Sequence, residues 1–273
     1  MKTLKAFTSR SLLLVLLINV YSCRQETKQY VSVDPGFTSY ISAFTAGFIS
    51  KQAAIRIRLA EDYPEEISRN QPLNEKLFQI SPHVRGSAYW LDQRTIEFRP
   101  DENMESGIRY QVNFELEKLM EVPDNLKTFS FEFQTIEQNF TVSQEGLRTY
   151  DPKNLRWLYI TGTLHAADIL AGENLPELLT AGQGSRRLSI RWEHDPEGRI
   201  HTFVIDSIER LEKEGLAAIS WDGKSIDAKS KGKEEISIPA LGDFKLMDIS
   251  VVQQPEQYVL LKFSDPLKEK QYL

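Results

Sequence analysis

The chain has 273 residues, 33 Lys+Arg against 39 Asp+Glu, a formal net charge of -6 and a single Cys. Its 41% apolar and 26% charged residues are a globular balance, which excludes a disordered or collagen-like chain. One thiol excludes a disulfide framework and any Cys-rich zinc or iron–sulfur site, and the acidic balance excludes the basic surface that nucleic-acid phosphates require.

Lys2, Lys5 and Arg10 make a basic start, and the apolar run over residues 12–18 follows. About 20 apolar residues are needed to cross a bilayer, so this run predicts the centre of a secretory signal. It closes on Val20-Tyr21-Ser22-Cys23, which resembles the lipobox of bacterial lipoproteins: an aliphatic residue, a variable one, a small one, then the lipidated cysteine. The expected layout is a signal peptide over residues 1–22, then lipidated Cys23 with a polar tether to residue 36. Acyl chains contribute about 0.8 kcal/mol per buried CH2, and several on one residue hold a protein to a membrane. Cleavage before Cys23 leaves 30 cations against 39 anions, a net of -9.

Past the tether the apolar residues alternate with polar ones, the period of half-buried strands. Ile55, Ile57 and Leu59 alternate with Arg56 and Arg58, and Ile96 and Phe98 sit among Thr95, Glu97 and Arg99. From Ile108 to Leu116 every even position is apolar, and Phe129, Phe131 and Phe133 continue the rule. A helix would scatter each set around its circumference. Asp92-Gln93, Pro100, Ser106-Gly107 and Pro123-Asp124-Asn125 separate the strands. This spacing predicts an immunoglobulin-type β-sandwich over residues 37–138.

A second β-sandwich is expected over residues 139–243. Its strands surround Trp157–Ile160, Leu188–Trp192, Ile200–Ile205, Ile219–Trp221 and Ile236–Ile238, with one short helix within residues 166–179. Asp195-Pro196-Glu197-Gly198 predicts a four-residue turn placing His194 opposite Arg199 and His201 opposite Trp192. Residues 244–273 hold a strand pair, which is too little to bury a core. They are expected to begin an incomplete third domain of a longer protein.

Phe78-Gln79-Ile80-Ser81-Pro82-His83-Val84-Arg85-Gly86, then Tyr89-Trp90, Thr95-Ile96-Glu97-Phe98-Arg99-Pro100 and Ser106-Gly107-Ile108-Arg109-Tyr110-Gln111-Val112 together resemble the bacterial Ig-like domain. Phe263-Ser264-Asp265-Pro266-Leu267 is similar to a strand ending in the same modules. A lipoprotein signal, one such module, a looser macroglobulin-like β domain and a further start resemble the N-terminal region of bacterial alpha-2-macroglobulin family proteins, of the Bacteroidetes type. The resemblance implies an outer-membrane lipoprotein, periplasmic or surface-facing. It implies a membrane-proximal role in a protease-inhibitor-like envelope protein, with proteases or other envelope proteins as partners through further domains. Protease-trapping relatives use a thioester between a Cys and a Gln in a distant domain. With its only Cys in the signal region, this chain cannot carry that chemistry. The alternative is a free-standing surface lipoprotein that binds glycan or protein through its sandwich loops.

No nucleophile elbow, His-Glu-x-x-His, Walker loop or dinucleotide fingerprint occurs. We therefore expect no enzyme activity, no catalytic residues, no cofactor, no metal and no nucleic-acid partner, with Cys23 as the one modified residue. The remaining candidates read as structural. Glu61-Asp62 and Glu65-Glu66 are solvated acids. Gly182-Gln183-Gly184-Ser185-Arg186-Arg187 is a mobile turn. Lys224, Lys229, Lys231 and Lys233 mark an exposed hairpin tip. Of Trp90, Trp157, Trp192 and Trp221, the last is expected to be the most exposed.

Overall fold

The computed structural model describes residues 33–151 and 153–267, and the signal region, Cys23 and most of the tether lie outside them. Residues from Asp34 onward form one compact unit.

Its first part is built from eight strands: β1 (Ile41–Phe44), β2 (Gly47–Ile49), β3 (Ile55–Leu59), β4 (Phe78–Ser81), β5 (Gly86–Trp90), β6 (Thr95–Pro100), β7 (Arg109–Glu115) and β8 (Thr128–Thr135). They form two four-stranded sheets, ordered β1-β3-β6-β5 and β2-β8-β7-β4. The expected alternation is present: β3 buries Ile55, Ile57 and Leu59, and β8 buries Phe129, Phe131 and Phe133. The two sheets meet through aromatic edges, with Phe44 5.1 Å from Phe129 and Phe78 5.6 Å from Phe98 between ring centroids. Each fully buried Ile, Leu or Phe contributes about 1.5–3 kcal/mol, which makes this interface the stabilising core.

In chain order these strands are A, A′, B, C, D, E, F and G of an immunoglobulin fold, with sheets ABED and A′GFC. The first strand changes sheets at residues 45–46, and its second half pairs in parallel with β8. Tyr110, early in strand F, accepts a hydrogen bond from the Glu105 backbone N–H at 3.1 Å, the tie that pins the corner before that strand.

The second part has strands β9 (Phe140–Asp151), β10 (Asn154–Ala166), β11 (Leu179–Gln183), β12 (Arg186–Leu188), β13 (Ile190–His194), β14 (Ile200–Glu209), β15 (Gly215–Asp222) and β16 (Lys231–Ile238). Sheets β13-β14-β10-β9 and β12-β11-β15-β16 enclose Ile160, Phe203, Ile205, Leu179, Ala217 and Ile219. Gly162 faces Phe203 across the pair, and the ring fills the place where a Cβ would stand, 2.2 Å from the ideal Cβ position. The expected helix is the single turn α1 (Leu175–Leu178), with Pro176 in its first turn and buried Leu175 and Leu178, ending where extended Leu179 begins β11.

Several expectations change here. Residues 188–192, read as one strand, are two: the chain passes from one sheet to the other at Ser189. The glycine-rich run is the turn of a hairpin with strand on both sides, with Gln183 opposite Arg186 and Gly184 at φ +57°. Lys231 and Lys233 lie within β16, paired with Asp222 and Glu235, not at a hairpin tip.

A final antiparallel hairpin, β17 (Leu246–Val252) and β18 (Tyr258–Phe263), repeats the β1–β3 arrangement. Both pairs carry a register shift just after their first pair, so Leu246 opposite Phe263 corresponds to Ile41 opposite Leu59, and Ile249 opposite Leu261 to Phe44 opposite Ile57. The environments differ sharply. Ile41 and Ile57 are 6% and 0% exposed, whereas their counterparts Leu246 and Leu261 are 47% and 46% exposed.

Candidate functional site

Two polar junctions and one histidine pair stand out. The first junction joins the two sandwiches. Gln138, 2% exposed, lies just before β9, and its backbone N–H donates to Ser106 Oγ at 2.6 Å. Its Oε1 accepts from the Asp168 and Asn139 backbone N–H groups at 3.0 and 3.1 Å. Its Nε2 donates to the Asp168 and Ile169 carbonyls. Asp168 is fully buried, and its Oδ2 accepts from the Lys51 backbone N–H of the first sandwich at 2.8 Å. Its Oδ1 accepts from the Ile169 N–H at 2.8 Å, with Arg199 Nη2 3.9 Å away. A buried carboxylate is tolerated because backbone donors and a cation satisfy it. Lys229 and Glu137 add an exposed pair at 3.0 Å across the same joint.

The second junction fastens the β17–β18 hairpin. Arg210 directly follows β14 and has no exposed surface. Its Nε donates to the Pro239 and Ala240 carbonyls at 3.0 and 3.1 Å. Nη2 reaches Ala240 and Asp243 carbonyls at 2.8 Å each, and Nη1 the Ser264 carbonyl at 3.2 Å. Asp265 completes a bidentate fork, accepting from Nη1 at 3.1 Å and Nη2 at 2.9 Å. Burial alone would raise the Asp265 pKa. The Arg210 guanidinium and the Ser264 hydroxyl outweigh it and hold the carboxyl below its ordinary range.

The histidine pair corrects the expected register. His194 lies directly opposite His201, and Trp192 opposite Phe203. The loop is residues 195–199, one longer on the return side than the expected turn. Asp195 closes it: its Oδ1 accepts from the Arg199 and Ile200 N–H groups at 2.9 and 3.0 Å. The two imidazoles approach with Nδ1 to Nδ1 at 3.1 Å. His194 is exposed, whereas His201 is 1% exposed and its Nε2 is buried without a hydrogen-bond partner. Burial, then neighbouring His194, lower the His201 pKa, with Asp195 opposing. Both rings line a cavity of about 580 Å3 that also meets Gln52 of the first sandwich.

The other candidates are dispersed. Asp62 pairs with Arg94, and Tyr63 stacks on buried Trp90 at 4.9 Å. Trp221, expected to be exposed, is half-buried against both apolar clusters of the second sandwich, with its indole over Gly232. Tyr150 donates to Asp206; burial and that carboxylate push its phenol up to about 12, so it cannot act as a base near neutrality. Among the described residues, no trio of His, Cys, Asp or Glu is placed to hold a metal ion. No helix among them is long and apolar enough to cross a membrane. Cys23 and the lipobox-like run lie outside the described residues.

No family model and no curated protein matches the chain. An L,D-transpeptidase from Mycobacterium smegmatis is similar over 86% of this chain and 76% of its own, at 12% identity and TM-score 0.24. A titin fragment is similar over 72% of this chain and 95% of its own, at 9% identity and TM-score 0.25. A pair of titin tandem Ig domains is similar over 71% of this chain and 90% of its own, at 11% identity and TM-score 0.23. Likeness at these TM-scores carries no argument. The class rests on the strand order: this is an all-β chain of tandem Ig-like sandwiches.

Proposed function

We propose that the chain is a non-catalytic, lipid-anchored array of Ig-like modules, the membrane-proximal part of a macroglobulin-like envelope protein. In this reading Cys23 carries the lipid, and the modules act as a stiff spacer that carries further domains away from the membrane. The observation that supports it most is the joinery. Gln138 and Asp168 join the first sandwich to the second, through neutral amide–backbone bonds and one charge-assisted bond from the Lys51 N–H, and Arg210 and Asp265 join the second to the hairpin through a part-buried charged fork. Interfaces between independent domains are ordinarily small and mobile, whereas each buried bond to a charged group contributes about 1.5–3 kcal/mol against bending. In the same reading the β17–β18 hairpin is the first strand pair of a third module, because its apolar side chains match a covered pair in the first.

The anchor is tested by Cys23→Ala. The variant is expected in the soluble fraction after a high-salt wash, while the parent chain stays with the membrane; a variant that still sediments with membranes refutes lipid anchoring.

A further inference from the structure

We propose that His194 and His201 are the two protein donors of a site for a divalent, imidazole-preferring metal ion, of the Cu2+, Ni2+ or Zn2+ class, in the cavity between the first and second sandwiches. The ligands are cross-strand neighbours on β13 and β14, so the ladder itself sets their spacing. Metal–imidazole bonds of about 2.0–2.1 Å, at angles between square and tetrahedral, place two nitrogens about 2.9–3.4 Å apart. The observed 3.1 Å between the Nδ1 atoms falls within that bite, so a turn of the two rings about their side-chain bonds brings both lone pairs onto one ion.

The surroundings suit a cation. Asp195 and Glu197 line the same cavity, against one lining cation, Arg199, which faces the buried Asp168 carboxylate at 3.9 Å. Asp195 Oδ1 is taken by two backbone N–H groups, so this residue supplies charge and not a ligand. Gly172 lets the His194 ring sit where any side chain at 172 would collide, since a Cβ would stand 2.8 Å from His194 Nε2. With no third ligand side chain converging among the described residues, water completes the coordination, and the roughly 580 Å3 cavity has room for it. Borderline ions that favour imidazole follow from the donor type, with Cu2+ bound most tightly.

The test is a calorimetric titration of the full chain with Cu2+, on a Cys23→Ser background to remove thiol binding, with electron paramagnetic resonance of the one-to-one sample. The expected result is one equivalent bound with micromolar affinity and a spectrum showing two equatorial nitrogens. His194→Gln, at an exposed position, should weaken binding by at least roughly tenfold while the circular dichroism is unchanged. His83→Gln combined with His165→Gln should leave it intact; His165 points to the opposite face of β10 from the residue paired with His201. Absence of saturable binding below about 100 μM, or binding unchanged by His194→Gln, overturns the proposal and leaves the pair as an ordinary imidazole–imidazole hydrogen bond.

Discussion

Replacing Asp265 by Asn probes the hairpin joint with almost no change in shape. Asn keeps one acceptor but turns the other oxygen into an N–H donor facing the Arg210 guanidinium, so one arm of the fork becomes repulsive and the charge partner is lost. Breaking a buried ion pair from one side costs about 3–5 kcal/mol when nothing else compensates. Here four backbone carbonyls, from Pro239, Ala240, Asp243 and Ser264, still receive the guanidinium, and the Asp265 side chain is 17% exposed. We therefore place the loss at about 2–3 kcal/mol. It should appear first as local opening: amide exchange across residues 246–263 should accelerate by roughly 30–150-fold, the factor equivalent to that free energy. A matched pair, Arg210→Met with Asp265→Leu, should recover part of the loss because no charge is stranded. An Asp265→Asn chain whose hairpin exchanges as slowly as the parent, with a denaturation midpoint unchanged, would refute the assignment of this pair as the fastener.

Three further outcomes follow from the same geometry. Asp168→Ala strands the Lys51 N–H and frees Arg199, so exchange at residues 49–54 should rise and small-angle scattering should report a wider range of module orientations; unchanged scattering and exchange would remove this residue from the joint. Gly162→Ala drives a Cβ into the Phe203 ring and the Ser143 carbonyl, and urea unfolding should show a loss of about 1–3 kcal/mol from the second sandwich, with wild-type stability contradicting the packing. Burial favours the neutral form of Glu97, but Arg99 at 2.7 Å and Arg56 at 2.5 Å outweigh it and set its folded pKa below the ordinary carboxyl value. Its contribution is thus present above the unfolded pKa, near 4.5, and lost as pH falls through the folded one. Because both arginines are largely exposed we expect about 1 kcal/mol, visible as a shallower acid-stability slope in Glu97→Gln between pH 6 and 3.

Strand existence and facing were legible because the alternation is local: each of Ile55, Ile57 and Leu59 says by its own position which side is buried. Register was less so. The His194–His201 pairing depended on whether the loop ends at Gly198 or Arg199, and the deciding contact is the Asp195 carboxylate capping the Arg199 and Ile200 N–H groups. Arg210 was invisible. It sits in the charged run Glu209-Arg210-Leu211-Glu212-Lys213-Glu214, which reads as a solvated turn. What buries it are carbonyls and a carboxylate 29 to 55 residues downstream, brought back by the fold. The sequence did single out Phe263-Ser264-Asp265-Pro266-Leu267, half of that contact, as a recurring strand ending. The partner could not be read because nothing local distinguishes Arg210 from the cations around it. Trp221 misled for a related reason: the turn after it suggested exposure, but Gly232 on β16 leaves a flat bed for the indole.

The hairpin and the first sandwich supply an internal comparison for what lies above β17 and β18. Ile41, Ile57 and Leu59 are buried in the first sandwich, whereas Ile249, Val251, Val259 and Leu261 share one face of the β17–β18 pair. These four remain 46–59% exposed. At about 1.5–3 kcal/mol for a fully buried aliphatic side chain, covering the remaining half of each is worth on the order of 3–6 kcal/mol together. Through Arg210 the second sandwich fixes one end of the hairpin, and Asp248 pairs with Lys262 on the opposite face. Neither contact touches the apolar face. A strand pair so held at its base, with Ile249, Val251, Val259 and Leu261 bare along one face, would gain stability from a covering sheet. Under the proposed function, this bare face is what favours reading the hairpin as the opening of a further module.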